Sequence, residues 1–168
     1  MHDTLVLLQY GAILALAGFA FWRGAGPEKI ANATMATVLL ADLAYHALFA
    51  SHRTYSSIDV PHLAIDMIGF VGFGILAMRA NRIYPLCLLG AQIFVMIVHF
   101  DRELVEGMLP RAYAFMIRMP SYLQVATLAI GLALHIRREM KYGAYRSWRT
   151  SSSRFWAIRT MPPRPPTR

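Results

Sequence analysis

Long apolar runs, interrupted by short polar punctuation, fill the first 140 residues, and their lengths predict helices that cross a lipid bilayer. A hydrocarbon layer of about 30 Å needs roughly 20 mostly apolar helical residues, with every backbone amide bonded inside the helix. Residues 5–22 form an 18-residue run whose most polar member is Gln9, and Arg23 closes it. Residues 30–50 follow Gly26 and Pro27, where proline costs little because the first helical amides have no partner. Residues 62–78 follow Pro61 and end at Arg79, and residues 83–101 carry Pro85 in their first turn. The last run, 113–135, contains Arg118 and Pro120, which leaves 121–136 as its uninterrupted apolar part. The expectation there is a kinked helix, or a short interfacial helix leading into a tilted span.

The fold class expected is therefore all-α: a polytopic bundle of five transmembrane helices over residues 1–138, followed by a basic, aromatic and Pro-rich tail over 139–168. Composition agrees, since 57% of residues are hydrophobic and 15% charged, against about 45–50% apolar in soluble domains. The first run could in principle be a signal peptide, but His2 and Asp3 stand where a basic start would be, so a retained anchor is expected. A single cysteine, Cys87, excludes an intramolecular disulfide and any zinc site of paired cysteines. It reads as a small packing residue.

Charge sets the threading. With five spans, thirteen Lys and Arg fall on the side that holds Arg23, Lys29, Arg79, Arg82 and the tail, and four on the other (Arg53, Arg102, Arg111, Arg118). Basic residues mark the cytoplasmic side, so the N-terminus is expected outside and the C-terminus inside.

Gly26-Pro27-Glu28, Ile65-Asp66, the stretch from Leu76 through Arg79-Ala80-Asn81-Arg82 to Pro85-Leu86, and Arg111-Ala112-Tyr113-Ala114 carry a family likeness over residues 24–138. On them the chain resembles a group of small, uncharacterised multi-pass membrane proteins of alphaproteobacterial type. That group has tryptophan after the Pro-Leu pair, where this chain has Cys87. The resemblance implies a bacterial inner-membrane location and no particular chemistry.

Ionisable residues inside spans are costly, by about 2.5 to 3.5 kcal/mol at a helix centre, and mark function by default. Asp42 and His46 share a helix face, as do His62 and Asp66, while His99 and Asp101 end the fourth run and Arg118 enters from the same side. The reading preferred is a charge-compensated polar network with Arg118 paired to a carboxylate and no cofactor. One alternative is a metal site or metal-dependent enzyme using His46, His62, His99 and Asp66; another is a proton-coupled carrier using Asp42 and Asp66. No HExxH or CxxC pattern supports the metal reading, and no internal repeat supports the carrier. His52 and Asp59 fall in an outer polar loop, and His135 adjoins the cations that anchor a helix end. Gly11, Ala15 and Gly18 on the first helix, and Ala129 and Ala133 on the fifth, read as seams for packing within the bundle.

The tail interleaves cations with aromatics. Arg137, Arg138, Lys141, Arg146, Trp148, Arg149, Arg154 and Trp156 suit an anionic lipid surface better than a nucleic acid, for which no binding fold is evident. The functional expectation is an integral inner-membrane accessory, assembly or scaffold protein, in contact with anionic lipids and with a larger membrane complex.

Overall fold

The computed structural model describes residues 2–49, 60–104, 110–143 and 147–148. They form five helices in chain order: α1 (His2–Arg23), α2 (Gly26–Phe49), α3 (Val60–Arg79), α4 (Tyr84–Leu104) and α5 (Pro110–Tyr142). Proline opens four of them, at Pro27, Pro61, Pro85 and Pro110, where its missing N–H leaves no bond unmade. Two residues join α1 to α2 and four join α3 to α4, so those neighbours run antiparallel. Gly143, at φ +72°, ends α5 in the left-handed conformation, and its amide donates to the Glu139 carbonyl at 2.9 Å. Instead of a separate interfacial helix before the last span, α5 runs unbroken through Pro120 for 33 residues, about 50 Å.

Each helix packs on the next, α1 closes on α5, and α2 also touches α5. The core is Ile13, Ala31, Met35, Leu39, Phe73, Leu76, Leu88 and Leu128, with one or more residues from every helix. Glycine lets α2 and α3 approach: a Cβ on Gly72 would stand 2.5 Å from the Thr34 methyl, so the Thr34 side chain fills the space that a side chain at position 72 would need.

The surface is more apolar than the interior requires. Leu8, Leu14, Leu40, Leu48, Ile68, Ile75, Phe94, Ile97, Leu123 and Ile130 all point outward, whereas Glu28, Asn32, Gln92, His99, Gln124 and His135 are buried. Water would reward the opposite arrangement, and hydrocarbon rewards this one. Three helical segments, Thr4–Arg23, Val60–Arg79 and Arg118–Tyr142, are long and apolar enough to cross a membrane. Tyr84–Phe100 is a shorter apolar segment, and α2 is diluted by its polar inward face.

Several sequence expectations are corrected. Gly11, Ala15 and Gly18 face out of the bundle, while Ile13, Ala17 and Ala20 form the inward face of α1. In α5 the close-approach residue is Gly131, whose Cβ would lie 2.9 Å from the Tyr84 ring, and Ala133 is exposed. Cys87 is exposed too, outside the buried core.

Candidate functional site

The inward faces explain how the polar groups are gathered. On α2 that face reads Glu28, Asn32, Met35, Leu39, Asp42, His46, and on α3 it reads His62, Asp66, Gly69, Phe73, Leu76, with Ala80 just past its end, each in alternating steps of four and three. This spacing keeps a single seam turned to the neighbours. The α2 seam is polar at both ends around an apolar middle, the α3 seam is polar at its start and apolar beyond, and because the helices are antiparallel the polar start of α3 meets the polar C-terminal end of α2.

At the end formed by the C-terminal half of α2 and the N-terminal half of α3, three side chains converge. His62 Nε2 lies 3.1 Å from Asp42 Oδ1 and 3.1 Å from His46 Nε2, and His46 Nε2 lies 3.6 Å from the same Asp42 oxygen. The ring of Tyr45 stands edge-on to His62, with centroids 5.1 Å apart, and holds the imidazole plane. All three side chains are about a fifth to a quarter exposed.

Beside them lies a second group. The Asp66 carboxylate meets His99 Nε2 at 3.0 Å through Oδ2. The Gln92 amide donates to Asp66 Oδ1 at 3.2 Å and to its carbonyl at 3.0 Å, and the Gln124 amide donates to Gln92 Oε1 at 2.8 Å. Gly69 makes room for Gln92, since a Cβ there would stand 3.1 Å from its amide carbon. Three helices, α3, α4 and α5, are thereby tied by one chain of hydrogen bonds.

A cavity of about 150 Å³ connects the groups, with Asp42, His62, Asp66 and Arg118 in its wall. Gln9 donates to Ser121 Oγ at 2.7 Å across the α1–α5 side, and that hydroxyl donates to the Arg118 carbonyl at 2.6 Å. With two carboxylates and one guanidinium, the chamber has a formal balance of one negative charge before its histidine is counted.

The structure thus gathers Asp42, His46 and His62 into one cluster, joins Asp66 to His99, and sets Arg118 in the wall between them. It does not assemble His46, His62, His99 and Asp66 as one ligand set: among the described residues the donors within 4.8 Å of one another are those of Asp42, His46 and His62, while Asp66 and His99 form a separate pair. The side chain of Asp101 and the loop of His52 and Asp59 lie outside the described residues. In the sequence Gln9 stands out only as the most polar residue of its run, and Gln92, Gln124 and Ser121 go unmarked, because amides and hydroxyls carry no charge to draw notice. Their register was a usable signal, since Gln92 stands two turns before His99 on one face.

A second polar group occupies the opposite end of the bundle. Glu28 Oε1 lies 3.6 Å from Arg82 Nε, Arg82 Nη2 lies 3.4 Å from His135 Nδ1, and Asn32 donates to the Glu28 carbonyl at 2.9 Å. Arg82, read as a loop charge, is an enclosed ion-pair partner, and His135 is a buried member of the same group. Among the tail residues, Arg137, Arg138 and Lys141 are exposed on the last turns of α5. Trp148 bridges to Ala80 and covers Gly26, so part of its ring rests on protein. Arg146, Arg149, Arg154 and Trp156 lie outside the described residues.

No family model, curated protein or solved structure matches the chain.

Proposed function

We propose that this chain is a multi-pass membrane protein in which all five helices cross the bilayer, N-terminus outside and C-terminus inside, and that it serves as a non-conducting accessory or scaffold component of a bacterial inner membrane. The observation that carries the reading is the order polar, apolar, polar along the bundle. Met35 and Leu39 form the apolar floor of the Asp42/Asp66 chamber, and Phe73, Leu76, Leu88 and Leu128 pack in the core between it and the Glu28/Arg82 group. An apolar layer on that route fits a scaffold, and five helices without an evident internal repeat give a carrier no support. The outward apolar faces of all five helices support full insertion, α2 included. The basic residues at the inner helix ends favour anionic lipids, and the accessory role implies a larger membrane complex as partner.

The test is purification under mild detergent together with reconstitution into liposomes. A stoichiometric membrane partner and no proton flux above empty vesicles are expected. Flux that Asp66→Asn abolishes would replace the accessory reading with the carrier.

A further inference from the structure

We infer that Asp42, His46 and His62 bind a divalent transition-metal ion, with an open coordination position on the cavity that Asp66 and Arg118 also line. The inference stands on the ligand triangle alone and holds whether or not the accessory role does. Among the described residues these three are the group whose donor atoms all fall within 4.8 Å of one another. Their separations of 3.1, 3.1 and 3.6 Å define a triangle. An ion about 2.0–2.1 Å from each corner, the usual zinc to nitrogen or oxygen distance, would stand less than ~1 Å out of the plane. That is the geometry of three adjacent ligands around one centre, with the remaining side open.

Hydrogen bonding accounts for the triangle less well. An imidazole nitrogen is a donor or an acceptor but not both, and a carboxylate oxygen only accepts. Both 3.1 Å contacts converge on His62 Nε2, which on a neutral ring carries at most one proton, so that proton must be shared between Asp42 Oδ1 and His46 Nε2 or one contact left unmade. A cation at the centre satisfies all three lone pairs together.

The donor set also selects the ion. Two imidazoles and one carboxylate suit zinc, ferrous iron or cobalt, whereas calcium and magnesium prefer oxygen throughout. Asp42 and His46, four residues apart, are fixed by one helix, and His62 comes from α3, so the ion would clamp α2 to α3 at the end where they are joined by the longest connection in the chain. The net negative charge of the chamber attracts a dication, and Asp42 and His62 turn the site toward the cavity, from which a small ligand could complete the coordination.

The experiment uses the full chain in detergent, purified with a histidine-free tag, stripped with chelator and titrated with Zn2+ and, separately, Co2+. One zinc per chain is expected in calorimetry, and cobalt should give the intense visible absorption of a four-coordinate site. His46→Ala, His62→Ala and Asp42→Ala should each weaken zinc binding by more than ~100-fold, beyond what the loss of a supporting residue costs. Cys87→Ser should bind as the parent does. X-ray absorption of the zinc-loaded parent, which needs no variant to fold, should show two imidazoles in the first shell. Absence of stoichiometric zinc binding by the parent would overturn the assignment, as would retention of affinity in folded His46→Ala and His62→Ala, or a spectrum without imidazole.

Discussion

Arg82 Nε lies 3.6 Å from Glu28 Oε1, and both side chains are almost fully enclosed between the start of α2 and the turn into α4. A charge removed from such a pair leaves its partner buried without compensation, which costs about 3–5 kcal/mol, whereas replacing both by apolar residues is often neutral. Arg82→Ala and Glu28→Ala should therefore each lower the melting temperature in detergent sharply, and Glu28→Met with Arg82→Met should recover most of the loss. Arg79→Ala, an exposed change on the neighbouring turn, should do little. Equal melting temperatures for Arg82→Ala and Arg79→Ala would mean that Arg82 is a loop charge after all.

The chain Gln124, Gln92, Asp66, His99 makes a prediction about coupling. Gln92→Leu deprives both Asp66 and Gln124 of a partner and should cost about 2–3 kcal/mol, since an orphaned buried polar group costs roughly 1–3 kcal/mol. Adding Gln124→Leu should cost little more, because its amide has already lost its acceptor. A double-mutant cycle checks this: strict additivity would show that the two amides act independently.

Much of this organisation can be read from spacing. Apolar run lengths locate the helices, and proline in the first turn locates their starts. The convergence of Asp42, His46, His62 and Asp66 at one end follows from antiparallel helices and the i, i+4 relation. Less legible was which face turns inward. In a membrane bundle both faces are apolar over much of their length, so Gly11, Ala15 and Gly18 gave a plausible seam on the face that points out. The reliable marker is the polar residue itself: Glu28, Asn32, Asp42 and His46 share a stripe with Met35 and Leu39. Arg82 misled for a different reason. Its place in a four-residue turn suggests solvent, and only the packing of α2 and α5 around that turn encloses it.

Glycine substitutions separate the two faces. A Cβ at position 72 would press on Thr34 at 2.5 Å, so Gly72→Ala must push α2 from α3 and should cost about 1–3 kcal/mol, the usual range for overpacking. Gly11 and Gly18 have nothing within 4 Å. There alanine should be neutral or stabilise by up to ~1 kcal/mol through helix propensity. Thermal unfolding of the three variants decides it, and destabilisation by Gly11→Ala and Gly18→Ala would show that this stripe packs against something.

Threading is checked with terminal tags. The bias of basic residues predicts that a tag before Met1 is accessible outside the inner membrane and one after Arg168 only from the cytoplasm. Protease cleavage of the C-terminal tag in intact spheroplasts would require an even number of spans, and α2, with the most polar inward face, would then be the helix to re-examine.

The C-terminal segment divides at Trp148. The Ser147 carbonyl accepts from the Asn81 amide at 3.2 Å, and the Trp148 ring fills the space beside Gly26, where a Cβ would come within 2.7 Å of it. These contacts fasten the chain after α5 to the turn between α3 and α4, next to the Glu28/Arg82 pair. Truncation after Trp148 should leave the melting temperature unchanged, while truncation before Ser147 should lower it, because it uncovers Gly26 and frees the Asn81 amide. Trp148→Ala should reproduce most of that loss, about 1–3 kcal/mol for an aromatic of this size that is 37% exposed. The proposed contact of the cations beyond Trp148 with anionic lipid has a separate test. A peptide of residues 149–168, with five arginines, should bind vesicles that contain anionic lipid, weaken as salt rises and ignore neutral vesicles. If both truncations melt alike, Trp148 only rests on the bundle, and if the peptide ignores lipid charge, the tail's basic residues serve a protein partner instead.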